Sequence, residues 1–357
     1  MTEPVLAVRD LVVRFRTGKR VVHAVNGVSF ELEAAGALGL VGESGSGKSV
    51  TSLAILRLLP RHGWIERGEV RFEGRDLLAL SATDMRTMRG ARLSMVLQDP
   101  LSSLNPVLSI GEQIEEAIRA HADASRAEAR RRAAELLAAV GIPRPDEQLD
   151  RFPHQFSGGM RQRVMIATAL ALRPTVLFAD EPTTALDVTV QAQVLDLLRT
   201  LTAEMGTAIV LISHDLGVMA RMTEDICVMY AGFVVEQAPT EEIFRRPSHP
   251  YTVGLLRSIP HRGVARGALH AIDGAPPDLE REPVGCPFAP RCAWRIEACW
   301  REMPPLVAAG DGAHLLACHH PATPEEAAAG RPLDPGFAPA PPPGDVAAAA
   351  ALLEATP

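Results

Sequence analysis

The chain has 357 residues, of which 47% are hydrophobic and 22% charged, enough for about two domains with a sizeable core and unlike a fibrous or mainly disordered chain. A formal net charge of −7 argues against a nucleic-acid protein held by bulk charge. Met1-Thr2-Glu3-Pro4 lacks a charged-then-apolar leader pattern, and no apolar run approaches the roughly 20 residues that span a bilayer, so a cytoplasmic chain that meets a membrane only through a partner is expected.

In chain order, Leu6 to Glu33 alternates apolar and polar residues and predicts half-buried antiparallel strands, with turns at Gly18 and Asn26-Gly27. Phe15 reads either as a core aromatic or as a platform for a stacked base. Ala37 to Val41 predicts a buried strand, and Val50 to Leu59 a helix stopped by Pro60. Between them lies Gly42-Glu43-Ser44-Gly45-Ser46-Gly47-Lys48-Ser49, a G-x-x-x-x-G-K-[ST] loop. Its glycines let backbone N–H groups turn onto nucleotide phosphates, Lys48 reaches the β/γ-phosphates, and Ser49 offers a hydroxyl to magnesium.

Gly68 to Gly74 predicts a hairpin, and Leu93 to Leu97 a strand that delivers Gln98. From about Asp99 to Gln155 the pattern is helical, with capping boxes opening at Ser109-x-x-Glu112 and Ser125-x-x-Glu128 and a stop at Gly141-Ile142-Pro143. Phe156-Ser157-Gly158-Gly159-Met160-Arg161-Gln162 makes a second anion-binding helix start, or a plain helix cap. Val176 to Ala179 predicts an apolar strand that ends in Asp180-Glu181. The first carboxylate suits a magnesium shell and the second the polarisation of an attacking water. Strand Ala208 to Ser213 presents His214 at its end, and helix Val190 to Leu201 lies between the two strands. Cys227 falls within the strand Ile226 to Met229 and reads as buried packing. After Glu241 the chain turns proline-rich, and beyond Pro321 it is an Ala/Pro tail with little capacity for a core, expected to be disordered apart from a short helix near Ala347 to Leu353.

Taken in order, Gly42 to Ser49, Gln98, Ser157 to Gln162, Asp180-Glu181, Ala185-Leu186-Asp187 and His214 resemble the motif set of an ATP-binding cassette (ABC) ATPase, over roughly Leu6 to Thr240. The resemblance implies an α/β P-loop NTPase core of RecA type, with an antiparallel β subdomain and a helical insert. Residues 1–98 and 156–240 then form the nucleotide-binding core and 99–155 the insert. It implies Glu181, His214 and Gln98 as catalytic groups, and Ser49, Gln98 and Asp180 as the Mg2+ site. ATP would be held by Phe15, Gly42, Ser44, Gly45, Ser46, Gly47, Lys48 and Ser49 of one chain and by Ser157, Gly158, Gly159, Met160 and Asp187 across a head-to-tail dimer.

Ser248-His249-Pro250-Tyr251-Thr252, Gly285-Cys286-Pro287-Phe288-Ala289-Pro290-Arg291-Cys292, Cys299 and Cys318-His319 are similar to the tail of ATPase subunits from oligopeptide and dipeptide importers. That tail implies a small cysteine-containing segment over 241–320, ahead of the tail at 321–357. The spacing C-x5-C-x6-C-x18-C lets Cys286, Cys292, Cys299 and Cys318 hold a [4Fe–4S] cluster, as the resemblance suggests; zinc is the rival, with His314, His319 and His320 nearby in sequence. The implied partners are a second ATPase subunit, identical or a sister chain, two transmembrane permease subunits at the cytoplasmic face of the membrane, and indirectly an extracytoplasmic solute-binding protein, with no nucleic acid. The importer family leaves the solute open among peptides, nickel complexes and other small solutes. An exporter's ATPase and a soluble cassette ATPase share the core motifs.

Overall fold

The computed structural model describes residues 3–99, 103–184, 186–259, 272–309, 312–323 and 326–327. Ala185 and almost all of the tail beyond Pro321, including the helix expected near Ala347 to Leu353, lie outside the described residues. The described strands, in chain order, are β1 (Leu6–Thr17), β2 (Arg20–Leu32), β3 (Ala37–Val41), β4 (Gly63–Phe72), β5 (Arg75–Asp76), β6 (Leu93–Val96), β7 (Val176–Asp180), β8 (Ala208–Ser213), β9 (Asp225–Tyr230), β10 (Phe233–Pro239), β11 (Val307–Ala309) and β12 (His314–Leu316). Among the described residues, no helix is long and apolar enough to cross a membrane.

The chain divides into two compact units. One holds Met1–Pro4, Leu32–Gly36 and Ala79–Leu211, and the other Val5–Glu31, Ala37–Leu78 and Ile212–Pro357. In the first, β6 and β7 pair in parallel, Leu93 opposite Val176 and Val96 opposite Ala179, and β8 lies on the other side of β7. Val176, Leu177, Phe178 and Ala179 are all fully buried, as a strand covered on both faces requires. Truncating Phe178 to Ala would therefore cost about 3–5 kcal/mol.

Helices Ile110–Arg119 and Arg126–Ala139 open as their capping patterns predict. Ser109 closes a full capping box with Glu112, while the Ser125 hydroxyl accepts from the Glu128 N–H. The second helix stops at Gly141, whose φ of 73° places it in the left-handed region. Its N–H and that of Ile142 reach back to the Ala138 and Leu137 carbonyls, a Schellman end.

In the second unit, β2, β1, β4 and β5 form a sheet in that order, with β1 and β4 antiparallel, and β3 pairs in parallel with β9, Leu38 opposite Asp225 and Val41 opposite Val228. β9, β10, β12 and β11 continue by antiparallel pairing. Three details depart from the sequence reading. Asn26-Gly27 is not a turn but a left-handed step inside β2, with Gly27 at φ 83°. The Asn26 side chain there accepts from Arg14 at 2.7 Å and donates to the His23 and Ala231 carbonyls, so tertiary partners override the turn preference of the dipeptide. The helix after the phosphate loop runs Lys48–Ile55 and ends well before Pro60, because Arg57 at φ 53° closes a Schellman motif with its N–H on Ala54 and the Leu58 N–H on Leu53. Finally, β10 goes unread in the sequence, and β11, β12 and the helices Thr240–Arg245 and Pro250–Arg257 give regular structure to the stretch from about Glu241 that reads as proline-rich.

Candidate functional site

The phosphate loop leaves buried β3 and turns into the helix Lys48–Ile55. Its glycines serve different ends. A Cβ on Gly42 would stand 2.2 Å from the Met229 carbonyl, and one on Gly47 2.6 Å from that of Ala24, so both sit where only glycine lets neighbouring backbone approach. Gly45, at φ 80°, faces open space and is exposed together with Ser44, which leaves that side of the turn accessible to an anion. No side chain caps the helix start at Gly47, which stands in the left-handed region at φ 101°. Lys48 is 5% exposed and its ammonium donates to the Gly42 and Glu43 carbonyls at 2.7 and 2.9 Å and to the Ser46 hydroxyl at 3.3 Å. The loop is thereby pre-shaped around a buried cation that a phosphate can take over, and Ser49 stands in the first turn of the helix.

The second unit also carries Phe15, His214 and the cysteines. Phe15 is partly exposed, its ring 5.5 Å from that of His62 and lying over Gly63, where a Cβ would come within 2.6 Å of it. It is thus a surface-facing aromatic rather than a core one. His214 is exposed at the end of β8, immediately before Asp215, which caps the helix Leu216–Met222.

The first unit brings the acidic pair and the glutamine together. Asp180 is 5% exposed at the end of β7. Glu181 follows at φ 44°, a left-handed conformation uncommon for a non-glycine residue. Its carboxylate accepts from Gln98 Nε2 at 2.8 Å and from the Thr184 hydroxyl at 2.7 Å. The exposed Gln98 lies just beyond β6, so the parallel pairing of β6 with β7 accounts for a meeting 83 residues apart in sequence. Thr184 is a partner of Glu181 that sequence reasoning missed, and Glu181 fixes it through a three-residue turn with no motif of its own.

The same unit holds the Ser157 turn. Ser157 is the N-cap of the helix Gly158–Leu170, its hydroxyl accepting from the Met160 N–H at 3.3 Å. Ser157 and Gly158 are exposed, Gly159 and Met160 partly so. A Cβ on Gly159 would press within 2.7 Å of Val190 Cγ1, in the first turn of the helix Val188–Met205. That helix is capped by the exposed Asp187, whose carboxylate accepts from the Val190 N–H at 2.9 Å. The Ser157 turn and Asp187 therefore lie on neighbouring helix starts.

The C-terminal cysteines gather on short turns. Cys292 and Cys299 are buried and Cys286 and Cys318 partly so. Burial pushes all three of Cys286, Cys292 and Cys318 upward as thiols, Cys292 to about 11 and Cys318 to about 12, and in each case a neighbouring thiol's charge adds to the shift. Backbone N–H groups oppose it: those of Phe288 and Ala289 at Cys286, Trp294 at Cys292 and His320 at Cys318, while Ile296 donates to Cys299 at 3.5 Å. Each of the four sulfurs thus meets at least one backbone N–H. As the side chains stand, no three His, Cys, Asp or Glu side chains among the described residues close to metal-holding distance. His314 is used elsewhere, its Nε2 2.7 Å from the fully buried Glu236, and His319 and His320 bond the Glu302 and Trp294 carbonyls. Cys227 is fully buried in β9 and pushed further up than the others by burial, as a packing residue should be.

Two family models match the chain, "ABC transporter" over residues 25–184 and "Oligopeptide/dipeptide transporter, C-terminal region" over 235–299. It is 48% identical over 308 residues to an oligopeptide transport ATP-binding protein of Bacillus subtilis, covering 86% of each chain. It is 50% identical over 315 residues to a probable peptide ABC transporter ATP-binding protein of Sinorhizobium fredii, covering 88% of this chain and 94% of the relative, and 47% identical over 317 residues to a dipeptide transport ATP-binding protein of B. subtilis, with the same two shares. Among solved structures, a dimeric ATP-binding cassette in a post-hydrolysis state with ADP and phosphate aligns at TM-score 0.60 and 27% identity, over 66% of this chain and 98% of its own. The mixed sheets and helices around the phosphate loop are accordingly the P-loop NTPase fold of an ABC ATPase. The chain belongs to the ABC transporter family, among the ATP-binding proteins that carry the oligopeptide/dipeptide transporter C-terminal region.

Proposed function

We propose that this chain is the ATP-hydrolysing, energy-coupling subunit of an importer for peptides or related small solutes. The observation that carries the chemistry is the carboxylate of Glu181, held at the end of β7 by Gln98 and Thr184 in a chain with an intact phosphate loop. A carboxylate fixed at 2.7–2.8 Å from two side-chain donors is oriented before any water arrives, which is what the positioning of an attacking water needs. Lys48 and the loop N–H groups hold the phosphates, and the partly exposed ring of Phe15 takes the adenine. Ser49, Asp180 and Gln98 would hold Mg2+, which offsets negative charge on the transferring phosphoryl group. His214 orients the γ-phosphate side of the site.

The exposed Ser157-to-Met160 turn and Asp187 supply a second anion-binding face, to be used by the ATP of a second cassette subunit, identical or sister. Binding of ATP then closes the pair, and hydrolysis and release reopen it. In this reading residues 1–98 and 156–240 form the nucleotide core and 99–155 the insert that passes this motion to two permease subunits, which hold the protein at the cytoplasmic face of the membrane and receive solute from a binding protein. Similarity to peptide and dipeptide transport proteins and the match over 235–299 favour import of peptides over export. In the segment 241–320, Cys286, Cys292, Cys299 and Cys318 would hold a [4Fe–4S] cluster, whose chemistry is to cross-link short turns and to respond to oxidants.

Extraction with detergent and purification from membranes should yield the chain together with two polytopic permeases, and uptake of labelled oligopeptides should depend on it. A wholly soluble, permease-free pool would favour a non-transport ATPase. Anaerobic purification should give iron and sulfide with a brown chromophore, whereas stoichiometric zinc would reject the cluster.

A further inference from the structure

Glu43 occupies one of the variable positions of the phosphate-loop pattern, yet its side chain, N–H and carbonyl are all engaged. Its carboxylate accepts two bonds from Arg291, Nη1 to Oε2 at 2.6 Å and Nη2 to Oε1 at 3.0 Å, across 248 residues of sequence. Its backbone N–H donates to the Tyr251 hydroxyl at 2.7 Å. Its carbonyl accepts from Lys48 at 2.9 Å. One residue thus joins the C-terminal segment to the lysine that meets the phosphates.

The C-terminal side of this contact is rigid. The Arg291 side chain is 4% exposed, and its remaining bonds run from Nη1 to the Tyr230 hydroxyl at 3.2 Å, from Nη2 to the Ile272 carbonyl at 2.9 Å and from Nε to the Asp273 carbonyl at 2.9 Å. All five N–H donors of the guanidinium are therefore engaged, so the fork has a single orientation. Behind it, Tyr230, Tyr251 and Phe288 form an aromatic cluster with ring centroids 4.6–5.4 Å apart, and both tyrosines are fully buried. Arg291 and Phe288 stand between Cys286 and Cys292, so the cysteine turn and the arginine are one piece of backbone.

We propose that Arg291 and Tyr251 are positioning residues for the ATP site, which set the shape of the phosphate loop by clamping Glu43 at its carboxylate and its backbone N–H. The physical reason is that the loop binds phosphate through a series of N–H groups whose directions depend on glycines at positive φ, and such an array works only if its backbone is held before the ligand arrives. β9 supports the loop at Gly42, and the bond from the Gly232 N–H to the Ser46 carbonyl supports it at Ser46. Between these two points, the only described side chains that hold the partly exposed elbow at Glu43 from outside the loop are Arg291 and Tyr251. The C-terminal segment thereby takes a direct part in nucleotide binding. The inference rests on the reading of residues 42–49 as the ATP cradle.

The test is a double-mutant cycle on ATP affinity in the full-length protein, with Mg-ATP as the probe. Arg291→Lys keeps the charge but loses the fork, and Glu43→Gln keeps the shape but loses the charge; each should raise Kd and KM for ATP about five- to tenfold, with a smaller fall in kcat. Combined, they should weaken binding no more than the stronger single change. Tyr251→Phe keeps the ring in its cluster and removes only the hydroxyl, and should raise Kd about two- to threefold without lowering the melting temperature of the nucleotide-free protein, a readout that a merely structural role would not give. Independent, multiplying effects of Arg291→Lys and Glu43→Gln, or unaltered ATP affinity in both Glu43→Gln and Tyr251→Phe, would overturn the clamp. Lys48→Ala separates the two readings: if it too binds ATP like the native chain, the cradle assignment fails, and if it alone loses binding, only the clamp fails.

Discussion

The two glycine-containing helix starts at Gly42 to Ser49 and Ser157 to Met160 are built in opposite ways. The loop at Gly42 to Ser49 is backed by β9 at Gly42, gripped by Arg291 and Tyr251 at Glu43, and occupied by its own buried lysine. The turn at Ser157 to Met160 is exposed at Ser157 and Gly158, and it is held by one serine cap with a close helix neighbour at Val190. A site completed by its own chain needs such backing, because its geometry must exist in the isolated subunit. A turn that meets a ligand brought by a second subunit needs instead to be reachable. The contrast accords with the proposed division, the first turn for binding and the second for closure.

The largest effect that sharpens this division is on neither turn. Glu181→Gln removes the oriented carboxylate but keeps an amide for Gln98 and Thr184 to contact. Phosphate release should fall about 10²- to 10⁴-fold while ATP affinity stays within a few-fold; near-native turnover would reject the assigned role. Next, Ser157→Arg places a bulky cation on the exposed turn. Turnover at saturating ATP should fall roughly 100-fold with nucleotide binding to the isolated chain unaltered, and a parallel loss of binding would mean that the two turns are not divided as described.

Acid should act on the backed turn through His249. Burial lowers this histidine to about 4, its Nδ1 accepts from the Tyr251 N–H, and its ring lies 5.9 Å from Phe288. Because the unfolded chain binds this proton near pH 6.5 and the folded chain does not until about pH 4, stability is full above that window and falls as pH drops through it, by about 3 kcal/mol for this group alone. The melting temperature of His249→Gln should therefore depend less on pH between about 6.5 and 4 than that of the native chain, and parallel curves would contradict the assignment. The smallest expected effect lies far from either turn: Ser125→Ala removes one helix cap and should cost about 1 kcal/mol in unfolding with turnover unaltered.

What the sequence reveals here is what is local in it. The phosphate loop, the strand ending in Asp180-Glu181 and the capping boxes each declare themselves within about ten residues, because strand, turn and helix start impose fixed spacings on neighbours. The Gln98–Glu181 bond depends on the register of β6 against β7, and the Arg291–Glu43 pair joins a variable loop position to a cysteine turn 248 residues on, so neither spacing is visible beforehand. Asn26-Gly27 shows the converse error, a strong local turn signal overruled by Arg14 and by the backbone at Ala231. β11 and β12, three residues each, are too short to show any period and exist through pairing alone.

The central claim is that this chain turns over ATP on behalf of peptide import. The most direct measurement is the steady-state ATPase rate of the chain co-purified with its permeases and reconstituted in vesicles, with and without a peptide-loaded binding protein. The rate should rise with the loaded binding protein and vanish in Glu181→Gln. A rate indifferent to peptide, or one that persists in Glu181→Gln, would contradict it.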